Sequence, residues 1–247
     1  MNCLGRTILL MIVSLMSSSA FAQATNLPGV SVNFGQGVNL VDTIEVLLLF
    51  TVLTMAPAII ILCTSFTRIV IVLSFMRQAL GTQNMPPNQL LIGFALFLSM
   101  FVMMPTGKSI YENTMKPYMA KQIDGTKAME GLEKDLRAFM EKHVRKADIG
   151  LFYDVTNTEA PQDIKAVPIH YLIPSFIISE LKTAFQIGFL LYIPFIVLDM
   201  VVASVLMAMG MMMLPPMLVS MPFKLLLFVL VDGWQLVTGA ILRSFNT

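Results

Sequence analysis

The chain has 247 residues, of which 56% are hydrophobic and 13% charged, with 16 Lys and Arg against 15 Asp and Glu. Soluble domains carry roughly a quarter charged residues, so this composition, with a mean hydropathy of +0.77, is that of a membrane protein. A formal net charge of +1 gives no basic face for nucleic acid. The two cysteines, Cys3 and Cys63, make no disulfide framework.

The first element is a leader. Arg6 precedes an apolar core from Ile8 to Met16, and small residues follow, ending in Ala20-Phe21-Ala22. This is the layout of a signal peptide cut between Ala22 and Gln23. Its apolar core is about half of the roughly 20 residues that a spanning helix needs. Residues 23–42 are a polar, Gly- and Asn-rich N-terminal segment. The first apolar run, Val46 to Thr67, has no charge; it is expected to break near its centre at Pro57 and continues past Arg68 to Arg77. A turn follows in "GTQNMPPNQ", where Pro86-Pro87 can open the next helix. The second run, Leu90 to Met104, is expected to end at Pro105. Residues 43–105 are thus expected to form a first helical hairpin.

Between Thr106 and His170 the composition changes to ten basic and ten acidic side chains. Residues 106–170 are expected to be a small soluble helical insertion. Met129, Leu132, Leu136, Phe139 and Met140 recur there at helical spacing. That stripe packs either within the insertion or against a second copy, which makes Phe139 a candidate subunit-interface residue. The third run reaches from Tyr171 to Leu214 and the fourth from Phe223 to Leu242, so residues 171–247 read as a second hairpin. The fold class is therefore all-α, with long kinked membrane-type helices in two hairpins. With the N-terminus outside, four spans place both apolar turns on the cytoplasmic side, near Arg68, Arg77 and Lys224, as the positive-inside rule requires. The charged insertion then faces the periplasm.

Arg68, Glu180, Lys182, Asp199, Lys224 and Asp232 lie inside or beside the apolar runs. A charge at mid-bilayer costs at least about 2.5 kcal/mol, so these groups require protein partners. Arg68, Glu180, Asp199 and Lys224 are the candidates for buried charges that hold an assembly together. We expect Glu180 to pair with Lys224, and Asp199 with another type of subunit. No Gly-rich nucleotide loop, HExxH or CxxC motif is present, and His143 and His170 have no ligand-spaced companions. No enzyme activity, cofactor or metal is expected.

Two stretches carry a family resemblance. "TSFTRIVIVLSFMRQALGTQNMPPNQLLIGFALFLSMFVMMP" and "IPSFIISELKTAFQIGFLLYIPFIVLDMVVASVLMAMGMMMLPPMLVSMPFKLLLFVLVDGWQLV" resemble the two signatures of the FliP family of flagellar type III export-gate proteins. The injectisome SctR family is related. The resemblance implies a homopentameric ring in the inner membrane at the flagellar basal body. It implies FliQ and FliR in the same complex, FlhA and FlhB as export-apparatus neighbours, and unfolded flagellar proteins as cargo. It also implies that much of the apolar surface meets protein rather than lipid.

Met211, Met212 and Met213 precede Pro215-Pro216, where the helix is expected to stop. Between Met200 and Met221 there are eight methionines and no charge. Read from the residues alone, the three adjacent methionines either fill space near a turn or line a pore at successive heights. The resemblance favours the second reading, because the family's methionine gate matches these positions. An ion channel or secondary transporter subunit is the alternative function, since such proteins also use broken helices and intramembrane charges. An assembly scaffold with an incidental pore is another.

Overall fold

A computed structural model of the chain describes residues 40–82, 85–211 and 213–245. The leader, its cleavage site at Ala22 and Gln23, and residue 212 lie outside the described residues. All regular structure among the described residues is helical.

The chain forms two units, residues 1–52 and residues 53–247. The described part of the first is the opening of α1 (Leu40–Leu62), where Leu47, Leu48, Leu49 and Phe50 are exposed. The second unit contains the rest of α1, then α2 (Phe66–Leu80) and α3 (Asn88–Val102). Next come α4 (Met104–Ile110), a π-helical turn (Tyr111–Met115) and the single turn α5 (Lys116–Met119). Within the charged segment follow α6 (Gly125–His143) and α7 (Lys146–Val155). The chain ends with α8 (Ile169–Ala208), α9 (Pro216–Leu230) and α10 (Gly233–Arg243).

The core sits between α2 and α8. Ile69, Val72, Leu73 and Met76 recur at the helical i, i+3, i+4, i+7 spacing and are fully buried. Leu172, Phe176 and Ala184 of α8 are fully buried in the same cluster. Burying each large apolar side chain is worth roughly 1.5–3 kcal/mol. Gly188 permits the closest approach: a Cβ there would lie 2.7 Å from Cδ2 of Phe75. On the other side of α2, α3 contributes Leu91, Ala95 and Leu98, and Ser65 and Ser99 share a buried hydrogen bond of 3.0 Å.

Three expectations are corrected. The first run does not break at Pro57, which lies inside α1; it breaks at Cys63–Ser65, between α1 and α2. Pro105 does not end helical structure. It occupies the first turn of α4, where the missing N–H costs nothing, and the chain bends by 61° between α3 and the rod Met104–Met119. The charged segment also builds no separate core. Phe139, Met140, Val144, Ile149 and Tyr153 belong to the same buried cluster as α8's Leu172 and Phe176.

The long apolar run is a single helix of 40 residues with Pro174 and Pro194 inside it. At 1.5 Å per residue it spans about 60 Å, roughly twice the hydrocarbon thickness of a bilayer. It is the one described helix long and apolar enough to cross a membrane unaided; up to four spans result if each bent pair counts as one. The last pair bends by 66° between α9 and α10. Asp232 takes a left-handed backbone (φ 50°) at that corner, and a Cβ on Gly233 would overlap Phe228 at 2.2 Å.

Candidate functional site: two charge clusters and a methionine loop

Arg68, the third residue of α2, points at α8. Its Nε donates to Glu180 Oε2 at 2.8 Å and its Nη2 to Oε1 at 2.5 Å, a bidentate pair. Nη1 donates to the Ser244 carbonyl at 2.8 Å and to the Ser244 hydroxyl at 3.0 Å. The guanidinium carbon stacks 3.9 Å from the centre of the Phe245 ring. Arg68 is 3% and Glu180 0% exposed. A planar guanidinium with fixed donors suits this role better than a lysine could, since one side chain joins α2, α8 and the chain's C-terminal end.

The second cluster lies farther along α8. Lys224 Nζ is 2.6 Å from Asp199 Oδ2 and donates to the Ala79 carbonyl at 3.3 Å. Ser220 Oγ donates to Asp199 Oδ1 at 2.5 Å. Lys224 is almost wholly buried and Asp199 partly so. The expected partners are therefore exchanged: Glu180 pairs with Arg68 rather than Lys224, and Asp199 finds Lys224 in its own chain rather than another subunit. The reason is geometric. Glu180 and Asp199 sit 19 positions apart on one helix, far more than a side chain can reach.

A third polar network has no counterpart in the sequence reading. Ser179 donates to Asp148 Oδ2 at 2.6 Å and accepts from the Arg145 backbone N–H at 3.1 Å. Arg145 also donates to Thr183 and Gln186 at 3.2 and 2.8 Å. These bonds fix the α6–α7 corner on α8. Arg137 donates to the Lys165 and Val167 carbonyls, closing the end of the charged segment onto α6. Phe139 is buried and meets Phe176 of α8 edge-on at 6.0 Å. The stripe is expected to pack within the insertion or against a second copy; Phe139 instead packs on α8, outside residues 106–170 of the same chain. Leu132 and Leu136 are half-buried, and Met129 is exposed.

The methionine loop joins α8 to α9. The prolines do not stop α8, as expected from the sequence; Gly210 does. Its left-handed backbone (φ 76°) lets its own N–H reach the Met207 carbonyl at 3.1 Å and the Met211 N–H reach the Leu206 carbonyl at 3.0 Å. This is the Schellman closure of a helix end. Pro215 and Pro216 instead open α9. Met211 therefore leaves the helix half-buried, and Met213 projects with 99% of its surface exposed. Met207, Met209 and Met217 are exposed around them. Asp199 and Lys224 are the charges that bracket this methionine-rich surface in sequence.

A fold that is helical throughout the described residues, with one helix long and apolar enough to cross a membrane, one buried and one partly buried ion pair and an exposed apolar surface, is of the membrane-protein class. The comparisons with known sequences make this specific. The FliP family pattern matches residues 49–241. The Flagellar biosynthetic protein FliP of Bacillus subtilis (strain 168) is 54% identical over 207 residues, 84% of this chain and 94% of that protein. The proteins of the same name from Pectobacterium carotovorum and Aquifex aeolicus are 48% and 43% identical, over 93% and 96% of this chain and 89% and 98% of their own. The chain belongs to the FliP family.

Proposed function

We propose that the chain is a channel subunit of the flagellar type III protein export gate, with Met211, Met212 and Met213 as its seal. Membership of a family whose members are named flagellar biosynthetic proteins supports the flagellar role. The single observation that carries the channel reading is the exposed, charge-free methionine loop at one end of the α8–α9 pair. Repeated around a homopentameric ring completed by FliQ and FliR, such loops converge on an axis. A ring of apolar side chains excludes water and ions by dewetting. Methionine, unbranched and polarizable, can bend aside for a passing chain of almost any sequence. The cargo is then unfolded flagellar protein delivered from FlhA and FlhB. The apolar exterior of α3, α8 and α9 faces neighbouring subunits and the inner membrane, with the charged segment on the periplasmic side. In this reading the chain catalyses nothing.

The test replaces Met211, Met212 and Met213 together by Ala in the full complex. We expect normal assembly, partial export and raised ion leak. Assembly with leak at the wild-type background overturns the seal. Phe at the same three positions is expected to keep the seal and slow export, because a stiffer ring yields less readily.

A further inference from the structure

Lys224 makes a contact that an ion pair does not require. Besides Asp199, its ammonium reaches the carbonyl of Ala79, in the last turn of α2. The final carbonyls of a helix have no partner inside it. The left-handed Gly81 that ends α2 closes back onto Gln78 at 3.1 Å and leaves Ala79 uncapped by that bond. A Cβ on Gly81 would stand 4.0 Å from Lys224 Nζ, so the ammonium lies directly under this helix end.

The same ammonium holds both arms of the methionine loop. Asp199 lies on α8 before the loop; Ser220 and Lys224 lie on α9 after it, and all three are bonded together. From Met200 to Pro216 there is no charge, and among the described residues no side-chain hydrogen bond or ion pair crosses from one arm to the other nearer the loop. We infer that Lys224 is the positioning residue of the gate. It clamps the two arms to each other and fixes their height against the C-terminal end of α2. The base of the loop is held in this way at the level of Asp199. This rests on the reading of the methionines as a seal. It differs from a role in assembly alone, since it assigns Lys224 a contact to α2 that sets where the seal stands.

The experiment uses cells carrying the complete export gate, with potassium efflux as the leak, flagellin export as the activity and complex recovery as the measure of assembly. Three variants are compared: Lys224→Met, Lys224→Arg and the exchange Asp199→Lys with Lys224→Asp. The exchange keeps an ion pair between the arms but puts an acceptor, which cannot donate to the Ala79 carbonyl, at position 224. Lys224→Met and the exchange are expected to assemble and to leak several-fold above wild type, with Lys224→Arg close to wild type. An exchange variant that assembles and holds potassium as wild type does overturns the inference. So does loss of assembly in both Lys224→Met and the exchange, which makes the cluster a folding requirement. The triple methionine-to-Ala variant runs in the same assay. If it fails to leak, the seal reading falls; if it leaks and the assembled Lys224 variants do not, only the role of Lys224 falls.

Discussion

Glu180→Gln keeps the volume of the side chain at position 180 and removes its charge, which strands Arg68. The guanidinium retains its bonds to Ser244 and its stack on Phe245. Its Nε and Nη2 donors, however, then face one amide oxygen and one amide NH2 in place of two carboxylate oxygens at 2.8 and 2.5 Å. Arginine cannot relieve the mismatch by losing its proton, and with both residues buried water cannot reach it. Removing one partner of a buried pair costs about 3–5 kcal/mol. The surviving Ser244 bonds put Glu180→Gln at the lower end, about 3 kcal/mol, and the cavity left by Glu180→Ala raises that to about 4–5 kcal/mol. Replacing both partners, Arg68→Met with Glu180→Leu, removes the stranded charge and should recover most of the loss. The assay is urea unfolding of the detergent-solubilised protein, followed by loss of helical signal. Single variants within about 0.5 kcal/mol of wild type, the usual range for inert surface changes, refute the argument. A double variant as unstable as the sum of the singles does too.

Two further outcomes follow from close contacts. Gly188→Ala brings a Cβ to within 2.7–3.0 Å of Phe75; the variant should lose about 1–3 kcal/mol to overpacking, and Phe75→Leu should restore part of it in a melting experiment. Thr114 carries a buried hydroxyl with no hydrogen-bond partner, so the near-isosteric Thr114→Val should raise the melting temperature, by the equivalent of about 1 kcal/mol of relieved desolvation; an unchanged or lowered value counts against it.

The all-helical class was legible in the sequence because apolar runs of this length have few other solutions. The need for partners at Arg68, Glu180, Asp199 and Lys224 was legible for the same physical reason: a charge in an apolar run is costly alone. The breaks were not. Cys63-Thr64-Ser65 contains neither Gly nor Pro, and nothing in its composition separates α1 from α2. Pro105 and Pro215-Pro216 misled in the opposite direction, because a proline that ends one helix and one that starts the next look alike in sequence. The Gly210 stop was the readable signal, a glycine after a long apolar run. The anchoring of Ser244 and Phe245 on Arg68 was hidden, since it joins positions 176 residues apart.

The partners of the charges follow from one structural constraint that the turn supplies. A chain that folds back at a turn centred near residue 212 sets side by side residues whose numbers add to about 424, because both helices rise equally per residue. Asp199 then stands opposite position 225, and Lys224 is the cation within one residue of it. The rule stops at the 66° corner between α9 and α10; beyond that corner Ser244 reaches the guanidinium that Glu180 holds. Lys224 is thus about one half of the α8 length away from Glu180, out of reach, while Arg68 arrives at Glu180 from α2 on the other face. Once the turn is located at Gly210 to Pro216, the methionine loop and the Asp199–Lys224 pair become successive levels of the folded-back α8–α9 pair. The loop stands at the end of that pair, and Asp199 lies nine residues before the end of α8 at Ala208.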